Sequence, residues 1–129
     1  MINELNPIGI GTYNCRFFAN INRDDIFVIS HIEKYIENKN DVENQVNEYL
    51  KRMNIDYIDE LQLHTPEVCK ISLLDVYYEM QKMCEKGKIR YLSTSNITLE
   101  KLEELNKSFE IYSFEGVYNL DCKYMRILG

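Results

Sequence analysis

An α/β fold with about four to five parallel strands and helices on their outer side is what the sequence of this 129-residue chain predicts. Three observations predict it. Strand-like and helix-like stretches alternate roughly every 20–35 residues, the rhythm of consecutive right-handed βαβ units. Three apolar runs, in DYIDELQLHTP at 56–66, GKIRYLSTSN at 87–96 and FEGVYNL at 114–120, each end in polar residues: His64, then Ser95 and Asn96, then Tyr118 and Asn119. In a parallel sheet, side chains just past the strands' C-terminal ends converge on one rim, where ligands bind. Finally, a closed eight-stranded α/β barrel takes about 250 residues, so residues 1–129, read as a single domain, hold at most about half of a (β/α) barrel.

The elements follow in order. IFVISHI at 26–32 is a β-branched run preceded by Arg23, Asp24 and Asp25, which reads as a buried strand. Residues 41–53 place Val42, Val46, Leu50 and Met53 at helical spacing, with Asn40 or Asp41 as N-cap. The next strand is 57–63, ending at His64-Thr65-Pro66. Apolar residues at 73, 76, 77, 80, 83 and 84 predict a helix within 71–85, and Gly87 stands where a helix ends. Residues 89–94 form a third strand. Thr98 can cap a short helix carrying Leu99, Leu102 and Leu105, and 109–117 supplies a fourth strand.

Composition narrows the functions. A net charge of −6 argues against nucleic acid or an anionic membrane as partner. No apolar run reaches 18 residues, and MINELNPIGIG lacks a basic segment followed by an apolar one, so a soluble cytoplasmic protein is expected. Cys15, Cys69, Cys84 and Cys122 are scattered without a C-x-x-C pair, which argues against a zinc or iron–sulfur site and for free thiols.

An imidazole at His64, on the rim after its strand, can donate a hydrogen bond to a carbonyl oxygen and orient it. The ordinary alternative is a histidine bonded to a neighbouring carboxylate. Ser95 and Asn96 offer paired donors and acceptors suited to an amide, although Ser-Asn also favours a plain turn before a helix.

Taken together these stretches resemble the aldo-keto reductase family. DYIDELQLHTP is similar to that family's DYIDLYLLHWP, GKIRYLSTSN to GKIRxIGVSN, and IGIGTY at 8–13 to its first barrel strand, LGLGTW. The resemblance implies part of a TIM-type barrel and an NADPH-dependent carbonyl oxidoreductase acting on a small carbonyl substrate. It implies that His64 orients the carbonyl, that Ser95 and Asn96 bond the nicotinamide carboxamide, that Thr12 lies near the cofactor, and that Tyr13 lines the substrate pocket. Glu115 stands where the family's Q-x-E-Y-N motif has a glutamine; a carboxylate accepts hydrogen bonds but donates none.

The departures shape the expected activity. The family's helix and strand bearing a catalytic aspartate and tyrosine find no counterpart between Asn14 and Asn22, and RDDIFVISH, similar to RDDxFIxTK, puts His31 in the lysine position. Of four catalytic residues His64 remains, and the strands that grip the cofactor's phosphates lie beyond Gly129. The expectation is a degenerate, catalytically impaired relative; the alternative is a non-catalytic pseudoenzyme, an interaction module or a truncated gene product. A part-barrel leaves open edges and apolar residues such as Val28, Ile58, Leu61, Leu92 and Val117 facing its interior, the register deciding which of them do, unless the chain curls into a compact flavodoxin-like sheet. Self-association or a protein partner is expected to cover them.

Overall fold

The computed structural model describes residues 9–11 and 22–116. Five strands form one parallel sheet in the order β1-β2-β3-β4-β5: β1 is Gly9–Gly11, β2 Phe27–Ile32, β3 Ile58–Leu63, β4 Ile89–Ser95 and β5 Ile111–Glu115. Three α-helices alternate with the last four strands: α1 Asn40–Met53, α2 Leu73–Glu85 and α3 Leu99–Asn106. Because neighbours in sequence are neighbours in space, right-handed crossovers put these helices on one side of the sheet. A flavodoxin-like sheet would need the strand order to reverse, and here it does not.

Strand register divides the side chains between two faces. His31 pairs with Gln62, Gln62 with Ser93, and Ser93 with Ser113, so these four share a face. Ser30, Leu61 and Leu92 pair in the adjacent row and point the other way. On that second face Val28, Leu61 and Leu92 join the helix residues Val42, Val46, Met53, Val76, Met80 and Met83 in a single buried core. The expectation that Val28, Leu61 and Leu92 face inward is therefore corrected: alternation sends them to the helices and leaves Ile58 on the inner wall. Val117 lies outside the described residues.

The inner wall is mixed rather than apolar. Phe27, Tyr91 and Tyr112 stack there, with Tyr91 and Tyr112 at 4.3 Å between ring centroids. A register shift between Leu92 and Ser93 accommodates one extra residue of β5 and turns both Tyr112 and Ser113 to this side.

Side chains cap the N-termini of two of the three α-helices, and of these two caps Thr98 was expected. Ser72 and Thr98 cap α2 and α3 by accepting from the amides of Asp75 and Lys101. The cap expected of Asn40 or Asp41 is corrected. The helix already begins at Asn40, Lys39 precedes it without a side-chain cap bond, and the Asp41 carboxylate accepts from the amides of Glu37 and Asn38. Gln45, buried on α1, bonds both the amide and the carbonyl of Lys34 at 3.1 Å and fixes the β2–α1 connection.

At the opposite end of the sheet from the rim, Asp59 is 2% exposed. Its carboxylate accepts from Arg23 at 2.5 Å, from Arg90 at 3.1 Å and from the Val28 amide at 2.8 Å. The aspartate of the DYID run thus ties β2, β3 and β4 together. Cys69 and Cys84 are free and half-buried, and burial pushes each thiol up to about 11. Among the described residues no helix is long and apolar enough to cross a membrane.

Candidate functional site

Parallel strands deliver their C-terminal ends to one rim, and five singled-out side chains arrive there from four strands. His31 is the fifth residue of β2, His64 follows β3, Ser95 ends β4, Asn96 follows it, and Glu115 ends β5. Thr12 and Tyr13 lie outside the described residues.

The His64 backbone is held from both sides. Its amide donates to the Ile32 carbonyl at 3.3 Å. Its carbonyl accepts from the Ser95 hydroxyl at 2.7 Å and from the Asn96 side-chain amide at 3.1 Å. Asn96 adopts a left-handed backbone conformation, φ 53°, and its own amide donates to the Glu115 carbonyl at 3.1 Å. Asparagine tolerates that conformation better than most residues. The turn after β4 therefore fastens the ends of β3, β4 and β5, and His64 itself is exposed.

Two imidazoles meet on the rim. The His31 and His64 rings lie edge to face with centroids 5.8 Å apart. His31 Nε2 is 3.8 Å from a Glu115 carboxylate oxygen, an ion pair when the ring is protonated. Either imidazole can donate a hydrogen bond to a carbonyl oxygen. Among the described residues no cluster of three or more histidines, cysteines or acids could hold a metal ion.

The donor inventory tests whether a nicotinamide carboxamide fits. Ser95 has committed its one proton to backbone carbonyls, and Asn96 has committed one N–H. What they still offer is the Asn96 carbonyl oxygen, its second N–H and the Ser95 lone pairs, with the Glu115 carboxylate alongside. Acceptors for the carboxamide NH2 are ample; for its oxygen, Asn96 alone of these three retains an uncommitted donor.

One row below the rim is a group that the sequence reading missed. Glu60 and Gln62 are 3% and 2% exposed. The Gln62 amide donates to Glu60 Oε1 at 2.8 Å, the Ser113 hydroxyl makes a short bond to the same oxygen, and the Ser113 and Ser93 hydroxyls are 3.1 Å apart. The signal was present in IDELQL, where two polar residues at i and i+2 occupy one face of a strand whose other face carries Asp59, Leu61 and Leu63.

A model of the Aldo/keto reductase family matches residues 12–123. The chain is 28% identical over 104 residues to glyoxal reductase of Bacillus subtilis, covering 81% of this chain and 36% of that protein. It is 33% identical over 66 residues to the NADPH-dependent alpha-keto amide reductase of Saccharomyces cerevisiae, covering 48% of this chain and 21% of that one. The chain thus spans about a fifth to a third of the length of the curated relatives it matches. Among solved structures, an aldo-keto reductase of the silkworm Bombyx mori complexed with NADPH superposes with a TM-score of 0.73 at 19% identity, over 84% of this chain and 36% of that one. A thermostable aldo-keto reductase bound to the inhibitor epalrestat gives 0.73 at 23% identity, over 95% of this chain and 48% of that one. These likenesses establish the fold as an arc of such a barrel.

Proposed function

The chain belongs to the aldo/keto reductase family, and from that premise we propose that its rim accepts a small carbonyl compound and the nicotinamide of NADPH, with hydride transfer impaired. The observation that carries this reading is the His31–His64 contact. It supports a carbonyl site, because two imidazole donors converge beside the turn built by Ser95 and Asn96. It also supports impairment, because His31 stands where the resemblance calls for a lysine.

His64 orients the carbonyl by donating a hydrogen bond to its oxygen. Asn96 and the Ser95 lone pairs hold the carboxamide, and Glu115 receives its NH2 group. When bound, NADPH supplies the hydride that reduces a carbonyl. A proton must then reach the alkoxide oxygen, and a positioned general acid is worth about 10²–10⁴-fold in rate. The family's tyrosine acid and its aspartate have no counterpart in the resemblance. Exposed Glu115 further weakens the grip on the carboxamide oxygen, since it cannot donate to it.

The test is a titration of NADPH against the purified chain, followed by nicotinamide fluorescence, alongside steady-state assays with a generic aldehyde. The expected result is a fluorescence change weakened by Asn96→Ala, with no turnover above background. Turnover abolished by His64→Ala would establish an active reductase instead. No response to NADPH at any concentration would leave the non-catalytic reading.

A further inference from the structure

Glu60 is a buried carboxylate that the described residues supply with the Ser113 hydroxyl and the Gln62 amide, but with no lysine, arginine or histidine. Burying a charge without a counter-charge is strongly unfavourable, and hydrogen bonds from neutral donors offset only part of it. A second deficit lies beside the first. Among the described residues the Gln62 carbonyl oxygen is buried and has no hydrogen-bond partner, although the amide nitrogen of the same side chain is engaged by Glu60.

Both deficits are of one kind. Glu60 lacks a positive charge, Gln62 lacks a donor, and the hydroxyls of Ser93 and Ser113 can each accept as well as donate. Apart from the second N–H of Gln62, the donors of this row are spent on one another, and the unmet needs are those of its acceptors. We propose that this cluster is a pocket for a small primary ammonium group, R–NH3+, whose three N–H donors bond Glu60, the Gln62 carbonyl oxygen and a serine hydroxyl while its charge neutralises the carboxylate.

The placement suits a ligand entering from the rim. Gln62 pairs in register with His31, and half-buried Ser113 lies two residues below Glu115 on β5. His64 is two residues past Gln62, about 7 Å along the strand direction. An ammonium bonded to the Glu60 carboxylate and to the Gln62 carbonyl oxygen from the rim side would point its substituent towards the two imidazoles. The pocket stands independently of the carbonyl and nicotinamide reading, since its residues are not those assigned to either.

Methylammonium is the probe, because it carries the ammonium group and neither a carbonyl nor a nicotinamide. The full chain, labelled with 15N and 13C, is titrated with methylammonium chloride at constant ionic strength, against sodium and potassium chloride. The Gln62 side-chain amide and the Glu60 carboxyl carbon are followed by NMR at neutral pH. A saturable shift of both signals is expected with methylammonium and not with the metal ions. Glu60→Gln, which keeps the shape and removes the charge, should weaken binding about tenfold or more, the worth of a charge-assisted hydrogen bond. Ser113→Ala, on a half-buried strand at the end of the sheet, supplies a second variant that keeps the fold and should weaken binding less.

Three results would overturn the pocket. One is a Glu60 carboxyl that is already protonated at neutral pH and unmoved by methylammonium, which would mean that Glu60 and a flipped Gln62 amide satisfy each other. Another is an equal response to potassium. The third is undiminished binding by a folded Glu60→Gln protein.

Discussion

The Ser95 hydroxyl lies 2.7 Å from the carbonyl oxygen of His64, two residues separated by 31 positions in sequence and brought together by adjacent strand ends. A residue expected to face a cofactor amide thus has a structural duty first. It fixes the backbone from which the candidate catalytic imidazole projects. Any contact that Ser95 makes with a ligand goes through its lone pairs, because its proton is already directed at backbone carbonyls.

Ser95→Ala should therefore act on both stability and the rim. It strips a donor from the Leu63 and His64 carbonyls, and leaving a buried acceptor unsatisfied costs about 1–3 kcal/mol. Chemical denaturation should show that loss, and the His64 ring signals should broaden or shift in NMR spectra of the folded variant. Asn96→Ala removes a bond at an exposed position and should cost less on that count. An unchanged denaturation midpoint for Ser95→Ala would show that the turn is held by its backbone alone.

Asp59 offers a larger effect far from the rim. Removing its carboxylate leaves Arg23 and the Val28 amide without their shared acceptor, and breaking a buried pair costs about 3–5 kcal/mol. Asp59→Ala should thus unfold much of the population or lower the melting temperature severely. Arg90→Ala should cost under about 1 kcal/mol, because half-exposed Arg90 is the outer partner of the same carboxylate. Urea melts of the two variants side by side would rank them, and similar losses would refute the assignment of Arg23 as the principal partner.

The α1–α2 face carries an acid-sensitive contact. Hydrogen bonds from Lys86 and Lys88 hold the Glu43 carboxyl down to about 2 from its ordinary 4.5. A depressed carboxylate contributes stability that is fully present above its unfolded value and is lost as pH falls through its folded one. The contribution of Glu43 should therefore fade between about pH 4.5 and pH 2. Plotted against pH, the denaturation midpoints of the parent chain and of Glu43→Gln should differ most near neutrality and converge towards pH 2. A constant gap would mean that the lysines do not hold this carboxylate.

The elements were legible because their periods were clean. The apolar spacing at 42, 46 and 53 marks α1, and the run IFVISHI marks β2 to within a residue. The rim was legible for a related reason: parallel strands send their ends to one side, so His64, Ser95, Asn96 and Glu115 had to meet once the strands were found. What sequence could not settle was register. Ile58 and Leu61 stand on opposite faces of IDELQL, so both could not face inward, and the pairing with β4 sends Leu61 to the helices. The extra residue at Tyr112 was hidden as well, since a bulge changes the facing of a strand without changing its composition. The wall of Glu60, Gln62, Ser93 and Ser113 was missed with it, because it exists only when four strands are aligned.

Two helices end alike, and the comparison between them predicts a further pair of effects. After α2 the Gly87 amide donates to the Cys84 carbonyl at 2.9 Å and the Lys88 amide to the Met83 carbonyl at 2.9 Å, with Gly87 left-handed at φ 72°. After α1 the Asn54 amide donates to Lys51 at 3.3 Å and the Ile55 amide to Leu50 at 3.1 Å, with Asn54 at φ 54°. This is the same closure of a helix by a left-handed residue, once with glycine and once with asparagine. A Cβ on Gly87 would meet nothing within 4 Å, so only backbone strain opposes a side chain there. Gly87→Ala should then cost about 1–2 kcal/mol, and Gly87→Asn should recover part of it, since asparagine visits the left-handed region more readily. Asn54→Gly should be neutral or slightly stabilising by the same reasoning. Thermal melts of the three variants test the order; if Gly87→Ala were as stable as the parent chain, α2 would have to end in a conformation other than this one.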